Sequence, residues 1–319
     1  MRCFFITVFV LGFLFISKGQ DPITSHPMGS YTEINPSMMG NDSLNTAYLN
    51  RRNQWPNIQG TYLTTRLGYH HYLKGINGYL GLSIMHENAG SGTFKTTNAA
   101  LNYAQNMKIN KVQIKIGAKV SVIQNILDWN KLTFGDQIDQ QIGFISSLSA
   151  GRQGQQAISY LDFSMGSSIY WKGFTVGAAA FHFLEPSNGF IAVNSSVLPM
   201  ALTFQISKTF SETIKGKEIT ISPYVNFSRQ RDFESKNFGI LSTYRWAILG
   251  FSFRSTDAFI AIIGVKTKYI NLIYSYDLTV SKLYSNTGGS HEVSFIFHPF
   301  KKRKKAHKNL LSVKSPFML

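Results

Sequence analysis

Cysteine, proline, acidic residues and long apolar runs are all scarce in this chain, and each scarcity removes a class of answer. Cys3 is the single cysteine among 319 residues, which excludes a disulfide framework and a cysteine-based zinc site. Proline occurs nine times and glycine 26 times, a mix poorly suited to a cytosolic helical enzyme. Charged residues make up 15%, against about a quarter in ordinary soluble domains. Acids are the rarer sign, 16 against 32 Lys and Arg, for a net charge of +16. Beyond the first 19 residues no run is long and apolar enough for a membrane helix; Gly173 to Leu184 comes nearest and is short and glycine-dotted. What is abundant is hydrophobic (44%) and aromatic (14%, with 25 Phe and 15 Tyr). That excludes a disordered chain. It suits many strands whose faces meet something other than water.

Residues 1–19 read as a secretory signal peptide. Arg2 supplies a positive start, Phe4 to Ile16 an apolar run, and Gly19 a small residue before Gln20. An uncleaved anchor is the alternative, and the run is short for one. Cleavage there removes Cys3, Arg2 and Lys18, lowers the net charge from +16 to +14 and leaves a mature chain without cysteine. The destination is beyond the inner membrane. Without a membrane helix, a membrane-resident form must be a closed barrel, because only helices and barrels satisfy every backbone group in lipid.

The pattern along the chain has period two. Val112, Ile114, Ile116, Ala118, Val120 and Val122 alternate with Gln113, Lys115, Gly117, Lys119 and Ser121. Leu161, Phe163 and Met165 oppose Asp162 and Ser164; Leu202, Phe204 and Ile206 oppose Thr203, Gln205 and Ser207; Leu272, Tyr274 and Tyr276 oppose Asn271 and Ser275. About fourteen such segments follow one another between residues 44 and 300, long enough for a tilted bilayer crossing. The sequence therefore predicts an all-β fold, a transmembrane antiparallel β-barrel with both termini periplasmic. The even strand number puts the long gaps 128–156, 185–198 and 281–289 on one side and short links on the other, as in outer-membrane barrels. A soluble β-sandwich is the competing architecture; it needs neither the strand length nor the loop asymmetry. The expected organisation is a signal peptide (1–19), a periplasmic N-terminal segment (20–43), the barrel (44–300) and a basic C-terminal tail (301–319). Val293, Phe295 and Phe297 alternate in the last strand and end it on an aromatic, an ending that barrel-assembly machinery recognises.

The tail holds Lys301, Lys302, Arg303, Lys304, Lys305, Lys308 and Lys314 and no acid. It reads either as a solvated tail or as a contact for acidic groups on the periplasmic side, such as a protein, peptidoglycan carboxylates or lipid phosphates. Lys74, Lys108, Lys111, Lys172, Lys215, Lys217 and Lys268 extend that basic rim into the short turns. Nucleic acid is not an expected partner after export. Trp55-Pro56 ends the first strand, where Trp anchors a barrel at the membrane interface and Pro stops pairing; cargo contact is the other reading. Asp136 and Asp139 are paired carboxylates in the longest outer loop. They could serve as acid and base or bind calcium, but a solvated, locally hydrogen-bonded loop is the simpler account. Asn88 to Gly92 reads as a tight turn, since no helix follows to make it a phosphate loop. His70, His71, His182, His291 and His298 are scattered, and neither a nucleophile elbow nor a His-Glu-x-x-His run occurs. Asp42-Ser43-Leu44 fits a short glycosylation pattern or a plain polar turn. No enzyme activity, metal or cofactor is expected.

Several of these segments, in order, resemble one family. They are Ile34-Asn35-Pro36-Ser37, Arg52-Asn53-Gln54-Trp55-Pro56, Asn88-Ala89-Gly90-Ser91-Gly92 and Phe134-Gly135-Asp136-Gln137-Ile138-Asp139. Asp162-Phe163-Ser164-Met165-Gly166, the stretch through His182 to Pro186, Tyr274-Ser275-Tyr276-Asp277 and Thr287-Gly288-Gly289-Ser290-His291-Glu292 complete the series. The arrangement is similar to the PorP/SprF family of type IX secretion system membrane proteins. The resemblance implies an outer-membrane barrel of Bacteroidota that serves secretion, surface attachment or gliding motility. Its implied partners are type IX secreted cargo or a surface adhesin, outer-membrane lipids and a periplasmic protein linked to the secretion motor. The candidate contact residues are then Trp55, Pro56, Asp136, Gln137 and Asp139 for cargo, and Lys301, Lys302, Arg303, Lys304 and Lys305 for the periplasmic partner. The alternative is a passive outer-membrane channel for small solutes, which a clear lumen favours and a filled one opposes. A lipid-modifying barrel enzyme needs a Ser–His pair at the outer rim.

Overall fold

The computed structural model describes residues 21–28, 30–41, 45–139, 141–146, 149, 154–191, 196–214, 216–255, 257–280 and 287–299. The expected signal peptide, Asp42-Ser43 and the basic tail lie outside them.

Fourteen antiparallel strands make one closed ring: β1 (Asn45–Gln54), β2 (Tyr62–Leu73), β3 (Gly78–Ala89), β4 (Phe94–Ile109), β5 (Val112–Leu127), β6 (Ala157–Trp171) and β7 (Phe174–Phe181), then β8 (Ala201–Lys208 with Phe210–Ile214), β9 (Lys217–Gln230), β10 (Phe233–Tyr244), β11 (Ala247–Arg254), β12 (Ala258–Lys266), β13 (Ile270–Thr279) and β14 (Ser290–Phe297). The two pieces of β8 keep one register against β9, with Ser207 opposite Tyr224 and Phe210 opposite Ile221, so they count as one strand. The ring shuts where β14 pairs with β1, from Ala47 opposite Phe297 to Gln54 opposite Ser290. Closure leaves no unpaired edge. Among the described residues no helix is long and apolar enough to cross a membrane.

Connections differ between the two ends. Residues 128–156, 182–200 and 280–289 all join strands at one end, the long-loop end. The other end has tight links such as 110–111, 172–173 and 245–246. Lys172 and Gly173 both adopt positive φ (47° and 82°), the geometry of a two-residue hairpin whose twist matches its strands.

The outward face is apolar where the alternation predicts it. Leu67, Leu82, Val122, Leu161, Met165, Phe251 and Ile263 all stand exposed on the outer wall, a surface that only lipid covers. Val293, Phe295 and Phe297 share that face on β14, and Phe297 is its last residue. At the short-turn end Trp171 stacks on Phe174 with ring centroids 6.5 Å apart. Lys172, Lys208 and Lys268 lie over Trp171, Phe174 and Tyr269 at 5.0, 4.0 and 4.7 Å. Aromatic rings with ammonium groups above them are what an interfacial girdle requires.

A chain segment occupies the interior. The described residues of 21–41 bond to β1, β2, β5 to β9, β11, β13 and β14, which encircle them, so this segment lies within the ring. The sequence reading of 20–43 put this stretch in the periplasm; its described part occupies the lumen. Among the described residues of this stretch, two turns of 3₁₀ or α geometry, Tyr31–Ile34 and Pro36–Met38, are the regular structure.

Candidate functional site

The lumenal segment and the wall around it gather the buried charged residues Arg52, Lys119, Arg254, Asp277 and Glu292. Lumen-facing polar side chains follow from strand alternation, since every second residue points inward. Three adjacent strands at the closing seam supply the densest group. Arg52 on β1 donates from Nη2 to Asp277 Oδ2 on β13 at 2.9 Å, and its Nη1 lies 3.4 Å from Glu292 Oε2 on β14. Arg254 on β11 reaches the same Asp277 oxygen at 3.2 Å and Asp257 at 2.9 Å. The plug enters this network directly. The Ser25 amide donates to Glu292 Oε2 at 2.7 Å, and Ser25 Oγ accepts from Arg52 Nη1. The His26 ring bridges Ser275 (3.2 Å) and Ser294 (3.0 Å). Asn50 donates to Glu292 at 2.7 Å, and Arg254 donates to the Thr24 carbonyl at 3.0 Å. Charges this deeply buried are retained only when each is matched by opposite charge and hydrogen bonds.

The Asn-Pro turn sits against the opposite wall. Asn35 caps the Pro36–Met38 turn by accepting from the Ser37 amide at 2.9 Å. Its Nδ2 donates to the Ser167 and Ala178 carbonyls (3.0 and 3.1 Å) and to Gln205 Oε1 (3.1 Å). This approach depends on missing side chains in the wall. A Cβ at Gly117 would overlap the backbone of Pro36 and Ser37, and one at Gly166 would overlap the Asn35 amide oxygen. Lys119 pairs with Glu33 at 2.9 Å, and Lys115 donates to the Met39 carbonyl (3.1 Å) and Asn41 (2.8 Å).

Nearer the long loops, His182 follows the last residue of β7 with φ 54°. Its Nε2 lies 2.7 Å from Asp21 Oδ2 and its Nδ1 3.1 Å from Asp162 Oδ2. Burial pulls the imidazole toward its neutral form. The Asp21 charge and the hydrogen bonds that the ring donates to both carboxylates outweigh that, and its pKa is pushed up to about 10. A cationic His182 thus clips the start of the plug to the barrel. Beside it, a cavity of about 170 Å³ lies between the plug and the wall, with Thr24, Asp162, Asn226 and Arg254 on its lining.

The sequence-derived candidates fall into separate places. Trp55 and Pro56 are half-buried in the 55–61 loop, where Trp55 packs edge-on to Tyr62 at 6.2 Å and donates its amide to the Gly289 carbonyl. Asp136, Gln137 and Asp139 lie together in the 128–156 loop. Gln137 is buried; its Oε1 accepts from the Phe134 amide (2.8 Å) and its Nε2 donates to the Ser146 carbonyl (3.1 Å). Asp136 accepts from Ser149 at 2.6 Å. Asp139 Oδ1 accepts from the Gln141 and Ile142 amides, which hold its carboxyl below the ordinary value. These bonds brace a small hairpin, Ile138–Asp139 with Gly143–Phe144, whose Ile142 and Phe144 stand exposed. Lys301, Lys302, Arg303, Lys304 and Lys305 lie outside the described residues. Among the described residues no group of three His, Cys, Asp or Glu side chains could hold a metal ion.

Missed from the sequence as site residues were Asp21, Ser25, His26, Asn35, Arg52, Arg254, Asp277 and Glu292. Yet Asn35, Arg52, Asp162, Gly166, His182, Asp277 and Glu292 all belong to the segments quoted above for the family resemblance. Six of the eight quoted segments meet at the contact between plug and wall, and that shared address was the available signal.

A sequence profile of the family described as type IX secretion system membrane protein PorP/SprF matches residues 16–297. No individual protein of curated function matches the chain. Solved structures of similar fold include the Pseudomonas putida toluene transporter TodX (11% identity, TM-score 0.45, covering 82% of this chain and 90% of that one). Another is the Acinetobacter baumannii outer membrane protein Omp33 (8%, 0.44, 80% and 99%). A third is CdiB from Acinetobacter baumannii (6%, 0.43), of which 80% of this chain spans 60% of the other's length.

Proposed function

Because the chain belongs to the PorP/SprF family of type IX secretion system membrane proteins, we propose that it is a sealed, non-enzymatic outer-membrane barrel that docks or anchors secreted surface proteins or adhesins. Its long-loop end faces the cell exterior and meets cargo through the 55–61 and 128–156 loops, with Trp55, Pro56, Asp136, Gln137 and Asp139 as contact or bracing residues. Its short-turn end faces the periplasm. There Lys74, Lys108, Lys172 and Lys268, with the tail from Lys301 to Lys305, meet an acidic partner linked to the secretion motor.

The observation that carries this reading is the filled lumen. The described residues of 21–41 occupy the path that a passive channel needs, and they are held to the wall by the Glu33–Lys119 and Asp21–His182 ion pairs and by buried hydrogen bonds such as Ser25 to Glu292. A barrel of this size without such a segment would leave a narrow aqueous interior. With it, the two ends become separate docking faces on one rigid body.

Affinity capture of the tagged protein from detergent-solubilised outer membranes tests the reading, with a control lacking Lys301 to Leu319. Recovery of a surface protein bearing a type IX C-terminal signal is the expected result, together with a periplasmic partner that the truncated form loses. A barrel that comes down alone and conducts ions in planar bilayers would replace this reading with the channel.

A further inference from the structure

Residues 21–41 run through the barrel in one direction, with residue 21 at the long-loop end. Asp21 is bonded at the long-loop end: its amide donates to Gln230, the last residue of β9, and its carboxylate meets His182, one residue beyond β7. Pro22 and Thr24 offer their carbonyls to Arg66 and Arg254, the latter the last residue of β11. Glu33 and Ile34 lie lower, on Lys119, Thr203 and Gln205. Ser37 follows on Ser168, and Asn41 ends the descent on Lys115 and Tyr170, next to the short turns that open β5 and close β6. Then β1 starts from that same short-turn end, because Thr46 sits beside His298, just past the end of β14. Each step is a hydrogen bond to a wall residue of known height, so the order is a continuous descent.

We infer that the chain is threaded through its own barrel, so that its N-terminal end emerges beside the long loops while β14 ends at the opposite, short-turn side. The even strand count places the first and last strand ends on one side, but the lumenal segment carries the start of the chain across. The threaded segment also bridges the closing seam, because Ser25 and His26 bond Arg52 on β1 and Glu292 and Ser294 on β14. Taken with the proposed orientation, on which this step rests, the start of the mature chain becomes part of the cargo-facing surface. It would sit beside His182 and the 182–200 loop, open to a partner that grips a free chain end.

The mature chain carries no native cysteine once residues 1–19 are removed, so single introduced thiols report position cleanly. A short Gly-Ser-Cys-Gly-Ser insertion between Gln20 and Asp21 is compared with Gln141→Cys in the long loop and Gly75→Cys in a short turn. A Cβ at Gly75 meets no atom within 4 Å, so the last substitution is accommodated. Intact cells are treated with a membrane-impermeant maleimide, then lysed and treated again. The expected result is that the insertion and Gln141→Cys label as fully on intact cells as after lysis, while Gly75→Cys labels only after lysis. Labelling of Gln141→Cys on intact cells with labelling of the insertion only after lysis overturns the threading. Pro22→Cys, which adds no residues, repeats the comparison in case the insertion itself blocks threading; labelling of Pro22→Cys only after lysis also counts against it. Labelling of Gly75→Cys but not Gln141→Cys on intact cells inverts the barrel and overturns the proposed orientation instead.

Discussion

At the scale of single residues, His182 is the most informative group. It lies where the wall meets the start of the plug, between Asp21 and Asp162. Its pKa is raised from 6.5 to about 10 in the folded protein. A raised value means that the folded state holds the proton more tightly than the unfolded chain does. The stabilisation is therefore complete below the ordinary imidazole value and is lost as pH climbs from there through about 10. Protease sensitivity of the plug's outer end, followed by limited digestion of the purified barrel, should rise across that interval. In His182→Gln, which keeps a donor but never carries the charge, the outer end should be sensitive throughout and its pH dependence flat. An unchanged pH profile in the variant would mean that another group clips the segment. None of this was legible from His182 alone, because a solitary histidine near a strand end is usually structural. Its role appears only when Asp21, 161 residues away, is brought beside it.

At the scale of elements, period two was enough for the strands but not for the interior. The polar inward rows of β5, β6 and β8 alternate cleanly and were readable. The strand β12 reads differently: Ala258 to Val265 is almost continuously apolar, with Ile260 and Ile262 buried inside while Phe259 and Ile263 face outward. A barrel strand has that character only if both faces meet apolar material, and the plug supplies the inner half. Met28, Tyr31 and Met38 join Leu241, Ile248, Ile260, Ile262, Ile273 and Ile296 in one packed cluster. The plug itself shows no period, since its bonds are tertiary, so no pattern of its own announced it. The seam cluster was equally hidden: Arg52 lies 225 residues from Asp277 and 240 from Glu292 in sequence. This account predicts that Ile260→Ala costs about 2–5 kcal/mol in the intact protein, the usual range for emptying a packed site. In a form lacking residues 21–41 the same substitution should cost much less, because the partners are gone. Denaturant unfolding from lipid vesicles measures both, and equal costs would show that Ile260 packs only against its own wall.

At the scale of the whole molecule, the decisive property is that barrel and plug form one closed object. Fourteen strands enclose a lumen too wide for their own side chains to fill, and the described residues of 21–41 occupy it. Polar anchoring along the β1, β13 and β14 seam, the Asn35 turn seated on Gly117 and Gly166, and the His182 clip fasten that segment at three heights. Removing it should therefore convert a silent barrel into a conducting one without dissolving the wall, whose strand ladder is continuous and independent of the plug. Planar-bilayer recordings are expected to show no steady current for the full chain and discrete channels for the form lacking residues 21–41. Weakening the fastening at one height, with Asn35→Ala, should give brief openings between those extremes, since two of the three attachments remain. Steady conductance from the intact protein would mean that the segment leaves the lumen in the membrane, and the separation of two docking faces would then fail with it.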